Sequence, residues 1–142
     1  TRKALSPCLR KIAPKKINED IVVPVSRMAE LINGLNHLST QYNIPIVNFG
    51  HAGNGNIHVN LQVNPDDPQA MQSAEQCLEK VFDLVISLNG TLSGEHGVGI
   101  EKRDFIYKEL SANEIKIMRA IKQQFDPHNI LNADKTLPLQ QQ

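Results

Sequence analysis

Hydrophobic and polar positions alternate most strictly between Ile57 and Asn64. There Ile57, Val59, Leu61 and Val63 fall on one side and His58, Asn60, Gln62 and Asn64 on the other. A period of two predicts a strand with one buried face. Upstream, Ile46 to Phe49 is a short apolar run read as a second strand, and Asn54-Gly55 between the two is a strong signal for a tight hairpin turn. Ile21-Val22-Val23-Pro24-Val25 reads as a further strand, with the proline near its end or on an edge.

Two helical stripes flank these strands. Met28, Leu31, Ile32, Leu35 and Leu38 recur at helical spacing after Ser26, a candidate N-cap, and Tyr42-Asn43-Ile44-Pro45 ends the helix. Gly34 inside it costs about 1 kcal/mol relative to alanine without breaking it. Asp67-Pro68 supplies a cap and a first helical residue for the stripe Met71, Ala74, Leu78, Val81, Phe82 and Val85, which Asn89-Gly90 stops. Glu101 to Glu109 is expected to be a short helix. Ser111-Ala-Asn-Glu114 is a capping box opening another, with Ile115, Met118 and Ile121 apolar, and Asp126-Pro127 closes it. The tail from Asn129 is expected to be irregular and its final glutamines mobile. This order predicts an α+β fold, an antiparallel sheet covered by helices.

Composition narrows the function. The 142 residues suffice for one domain with a real core. Fifteen basic residues balance fifteen acidic ones, aromatics make up 4%, and tryptophan is absent, which argues against a nucleic-acid partner. No apolar run reaches the roughly 20 residues of a membrane span. Cys8 and Cys77 are too few for a disulfide framework and fit a reducing compartment, with Cys77 in the core. Positive charge collects in residues 1–18, a basic arm that is either solvated or a cationic segment facing an anionic ligand. The chain starts with Thr1 inside a polar, basic segment, and we read it as a piece of a longer protein or a processed product.

The chemistry concentrates at glycine-bearing segments. With Asn54-Gly55 as the turn, His51 stands across from His58, with side chains roughly 4.5–5.5 Å apart at Cβ. Two imidazoles so placed can share a metal ion. A second segment, Gly90 to Gly99, frames Glu95 and His96 with four glycines, either for close approach to a ligand or for a tight connection. It has neither the P-loop nor the dinucleotide-binding spacing. Catalytic metal sites often combine two histidines and a carboxylate with one open position, so His51, His58 and Glu95 are the candidate ligands if the fold joins the two segments. His96, next to Glu95, would remain neutral beside a cation and could serve as a base. His37 and His128 read as surface residues.

Gly-His-Ala-Gly-Asn-Gly-Asn-Ile-His, then Ser-Gly-Glu-His-Gly-Val-Gly, then Phe-Asp-Pro-His-Asn-Ile-Leu-Asn resembles the C-terminal domain of the FAD-linked oxidases. That family includes glycolate oxidase large subunits, D-lactate dehydrogenases and D-2-hydroxyglutarate dehydrogenases. The opening Arg-Lys-Ala-Leu-Ser-Pro and Glu-Asp-Ile-Val-Val-Pro fit it as well, so the resemblance covers nearly the whole chain. It implies a ferredoxin-like cap over FAD, with the flavin held mainly by an N-terminal domain of the same polypeptide. It implies His51, His58 and Glu95 as ligands of a divalent metal (zinc, with manganese or iron as alternatives), and His96 as the catalytic base. Asn60, Arg2 and Lys16 become substrate contacts, and Lys135 lies near the flavin. The family usually has Leu-Asn-Pro-Gly-Lys where this chain has Leu-Asn-Ala-Asp-Lys, so Ala133 and Asp134 depart from the pattern. The expected function is oxidation of a small 2-hydroxy acid, in the cytoplasm, at the inner membrane or in a mitochondrial matrix, as a homodimer or with other oxidase subunits. The alternatives are a non-catalytic interaction or regulatory domain and a stand-alone metal hydrolase.

Overall fold

The strand with the strictest alternation lies at the centre of the sheet. The computed structural model describes residues 8, 9 and 12–139. It contains β1 (Lys15–Val22), α1 (Met28–Tyr42), β2 (Ile46–His51), β3 (Asn56–Val63), α2 (Pro68–Ser87) and α3 (Ala112–Phe125), with short 3-10 segments at Val25–Arg27 and Arg103–Lys108. Arg2, much of the basic arm and the last three glutamines lie outside the described residues. Where length points to one domain, contacts group the chain into two compact units, Thr1–Gly94 and Glu95–Gln142.

In the first unit β3 runs antiparallel to both neighbours, in the order β1-β3-β2. This is the α+β arrangement expected, with the strand-helix-strand-strand-helix succession of a ferredoxin-like fold. A fourth strand beside β1 is reduced to one bridge, in which Val22 and Thr91 exchange backbone hydrogen bonds of 3.1 and 2.8 Å. Ile57, Val59, Leu61 and Val63 join Leu31, Leu35, Leu38, Ala74, Cys77, Leu78, Val81, Phe82 and Val85 in the core. Each fully buried large aliphatic or phenylalanine side chain contributes about 1.5–3 kcal/mol. Gly34 has a packing role: a Cβ there would stand 2.5 Å from Leu84 Cδ2, so the glycine lets α1 and α2 approach closely. Burial pushes the Cys77 thiol up to about 11, as its place in the core leads one to expect.

Several boundaries differ from the sequence reading. β1 starts at Lys15 rather than Ile21, so Lys15 to Asn18, assigned to the basic arm, are strand residues. The polar side chains of Lys15, Lys16 and Asn18 hide the strand from a hydrophobicity pattern, while the backbone of all four residues pairs with β3 from Val63 to Asn60. Ser26 does not cap α1. It lies within the 3-10 turn, and the helix starts after Arg27 with no side-chain cap. β3 is buried along its whole length rather than on one face. Asp67 and Pro68 act as expected: Asp67 Oδ1 accepts from the amides of Gln69 and Ala70.

The second unit holds the Arg103–Lys108 segment and α3, whose Ser111–Glu114 capping box forms as expected. Ile117, Ile121 and Phe125 of α3 are exposed. Asp126, itself buried, closes the helix. Its carboxylate accepts from Lys122 and from the amides of Ile130 and Leu131, both at 2.9 Å. The Lys122 hydrogen bond, helped by the two amides and opposed by desolvation, lowers the pKa of Asp126. A depressed carboxylate stabilises the fold above the unfolded value, about 3.9, and loses that contribution as pH falls through the folded value. In an acid titration followed by NMR, the Ile130 and Leu131 amides should therefore shift with a midpoint below about 3.9, and Asp126→Asn should abolish that transition.

Candidate functional site

The hairpin that carries the two histidines has a longer loop than Asn54-Gly55 alone would give. His51 pairs with Asn56, and His58 pairs with Phe49. Residues 52–55 form the turn, with the Asn54 amide donating to His51 O at 3.1 Å and the Asn56 amide donating to Asn54 Oδ1 at 3.2 Å. His51 is thus not directly across from His58, as a two-residue turn would require. The register differs by two residues, which preserves the faces. The two rings therefore still meet on one side, as a diagonal pair with centroids 5.8 Å apart and an edge-on angle of 76°. Phe49 packs on His58 from across the strand, at 5.6 Å.

Close backbone contacts fix this loop. Gly55 has φ +77°, and a Cβ there would lie 1.9 Å from Val23 O. The Gly55 carbonyl accepts from the Val23 amide at 3.2 Å, tying the loop to the end of β1. Gly53 has open space around it. One ring nitrogen of His51 and one of His58 lie within 4.8 Å of each other. An ion bonded to both at about 2.0–2.1 Å would span nitrogens up to about 4.2 Å apart, a separation close to that 4.8 Å limit. The pair fits a divalent ion.

The polar face continues from the histidines along β3. Asn60 is fully buried, and its Nδ2 donates to Val47 O and His58 O, both at 3.1 Å. Gln62 Nε2 reaches Asn60 O at 3.4 Å. Backbone carbonyls only accept, so the amide nitrogens must face the strand and the oxygens point away from these contacts. Among the described residues Asn60 Oδ1 and Gln62 Oε1 have no hydrogen-bond partner, and buried acceptors of this kind suit a ligand hydroxyl or ammonium group. Lys16 faces Gln62 across β1 and β3, which sets its charge on the same side of the sheet as Asn60.

Asp20 was not singled out in the sequence. It is fully buried and pairs with His58 in the β1–β3 register, with a carboxylate oxygen within 4.8 Å of a His58 ring nitrogen. Its signal was available in Glu-Asp-Ile-Val-Val-Pro, where Asp20 immediately precedes the apolar run. The hairpin alone gave no register against β1 from which to place it.

In the second unit Glu95 and His96 are about half exposed, with His96 Nε2 3.9 Å from Glu95 Oε1. The four glycines around them divide into two kinds. Gly90 and Gly94 abut protein atoms of the first unit, with a Cβ meeting Val22 O at 2.4 Å and Asn56 Nδ2 at 2.0 Å respectively. Gly97 and Gly99 have positive φ and open space. Gly90 and Gly94 thus serve close packing of the connection, while Gly97 and Gly99 serve its backbone conformation.

Lys135 is exposed, and its amide donates to Asn132 O at 3.3 Å. It borders an apolar groove of about 460 Å³ with Met118, Ile121, Phe125 and Leu137. Asp134, at the position where the resembling family has glycine, has φ +59°, so the backbone shape that favours glycine is present. His37 and His128 are exposed, as expected.

The family model for the FAD linked oxidases, C-terminal domain, matches residues 1–136. The chain is 40% identical over 134 residues to the glycolate oxidase subunit GlcD of Bacillus subtilis, covering 94% of this chain and 28% of that protein. It is 32% identical over 137 residues to the Escherichia coli K12 subunit of the same name, covering 96% and 28%. To the mitochondrial D-lactate dehydrogenase [cytochrome] of Kluyveromyces lactis it is 36% identical over 116 residues, covering 82% and 20%. The chain thus spans between a fifth and a third of the length of these relatives.

The hairpin geometry predicts unequal glycine substitutions. Gly55→Ala should destabilise the chain by at least about 1–2 kcal/mol, the cost of a left-handed residue before any clash with Val23 O. Gly53→Ala should stay within about 0.5 kcal/mol of the parent. Denaturant titration of both variants checks the contrast, and equal midpoints would contradict it.

Proposed function

Because the chain belongs to the family of FAD-linked oxidase C-terminal domains, we propose that it forms the substrate side of a flavin-dependent 2-hydroxy-acid oxidoreductase of the glycolate oxidase or D-lactate dehydrogenase kind. The observation that carries this reading is the edge-on pair His51 and His58, on a strand face that continues into buried, acceptor-bearing Asn60. With Glu95 they form a two-histidine, one-carboxylate set suited to zinc, and chemically open to manganese or iron. Chain connectivity supports the third ligand: Glu95 follows Gly94, and consecutive Cα atoms are about 3.8 Å apart.

In this reading His51, His58 and Glu95 would hold the ion, and so would orient the carboxylate and hydroxyl of the substrate beside it. When bound, the ion supplies Lewis acidity to that hydroxyl, and the flavin supplies the two-electron acceptor. His96 takes the hydroxyl proton as the C2 hydrogen leaves with its electron pair, which converts the 2-hydroxy acid to a 2-oxo acid. Asn60 Oδ1 accepts from a substrate donor, while Lys16 and Arg2 offer positive charge to the carboxylate. Lys135 stands on the flavin side. The neighbour is the flavin-binding domain of the same polypeptide, and the exposed apolar residues of α3 suit such a partner.

In the intact flavoenzyme, His96→Ala should lower kcat about 10²–10⁴-fold while bound metal is retained, whereas His58→Ala should lose the metal. Steady-state turnover with glycolate or D-lactate, together with elemental analysis, reads both. Unchanged turnover in His96→Ala removes the base, and full activity in chelator without bound metal removes the ion.

A further inference from the structure

Asp20 stands where three segments of the first unit meet. It is fully buried on β1, opposite His58. Its Oδ1 accepts from Asn56 Nδ2 at 2.6 Å, and Asn56 is the first residue of β3, paired with His51. Its Oδ2 accepts from the Gly94 amide at 2.8 Å, one residue before Glu95. One carboxylate thus binds the root of the histidine hairpin and the middle of the glycine-rich connection.

The chemistry of the site requires an acceptor with two oxygens. These two partners, Asn56 Nδ2 and the Gly94 amide, present N–H groups, and an ionised carboxylate accepts through each oxygen and donates nothing. Such charge-assisted bonds are roughly twice as strong as neutral ones. An asparagine at position 20 could accept from only one partner and would direct its own N–H group at the other. Gly94 fits equally closely: a Cβ there would lie 2.0 Å from Asn56 Nδ2 and 2.8 Å from Asp20 Oδ1, although Gly94 itself is exposed.

We propose that Asp20 is a positioning residue, whose carboxylate fixes the peptide ahead of Glu95 against the base of the His51–His58 hairpin and so sets the spacing of the ligands. The inference rests on the metal-site reading above. It assigns Asp20 no contact with substrate or flavin. Its effect reaches the reaction through Glu95 and its neighbour His96.

The test is zinc affinity of the intact flavoenzyme, measured by competition with a chromogenic chelator. Asp20→Asn should weaken zinc binding about 10–100-fold, the usual cost of losing a group that orients a ligand. The exchange D20N/N56D places the donor and the carboxylate in swapped positions. The amide introduced on β1 can then accept from Gly94 and donate to the carboxylate introduced on β3, and most of the lost affinity should return. Gly94→Ala tests the same contact from the exposed loop, without a change in buried charge, and should also weaken zinc binding at least about 10-fold. Wild-type affinity in Asp20→Asn or Gly94→Ala overturns the proposal, as does a D20N/N56D enzyme no better than D20N. If D20N does not fold, recovery in the exchange and the Gly94→Ala affinity decide it. A parent enzyme that binds no zinc, manganese or iron would instead remove the metal site itself, and with it the role of Asp20.

Discussion

Burial of β3 on both faces is the constraint from which the first unit follows. A strand at the centre of a three-stranded sheet has its backbone groups paired on both edges, so only its side chains distinguish its two surroundings. Ile57, Val59, Leu61 and Val63 give one face to the hydrocarbon core. Asn56, His58, Asn60 and Gln62 give the other face a dense row of buried polar groups. Polar side chains buried in this way cost free energy unless their hydrogen-bonding capacity is met. Backbone carbonyls meet part of it, through Asn60 and Gln62, and Asp20 meets part through Asn56. The remaining oxygens give this face its chemical character.

The loop geometry serves the same end. Gly55 lets the hairpin close tightly on β1, and Gly94 lets the following connection lie against Asn56 and Asp20. The rings of His51 and His58 then come together by a diagonal contact. Hydrogen bonds among the described residues join three backbone segments here. Asp20 matters because two of those bonds end on its carboxylate. In the second unit Asp126 does similar work, gathering a lysine and two amides to turn the chain after α3.

The elements that were legible are those in which local chemistry and tertiary environment agree. The α2 stripe carries its own cap at Asp67 and its own stop at Asn89-Gly90, and α3 carries its capping box. The start of β1 was illegible because Lys15, Lys16 and Asn18 are polar residues on a strand, placed there by pairing with β3. The cap of α1 was misread for a related reason: a 3-10 turn ahead of the helix takes up Ser26. Of the candidate site, His58 and Asn60 could be placed on one face from alternation alone, since period-two geometry is local, whereas His51 reached that face through a hairpin register that the structure shifts by two residues.

The sequence by itself determined the residue types, the two-faced strand and the helices that cover it, because these follow from periodicity and caps within a few residues. It also held the three motifs by which the family is known. Tertiary structure alone decided that His58 lies opposite Phe49 and Asp20, and that Asp20 holds Gly94, 74 residues away in the chain. Register between strands depends on loop length and on close backbone contacts such as Gly55 against Val23. Those contacts exist only once distant segments have packed.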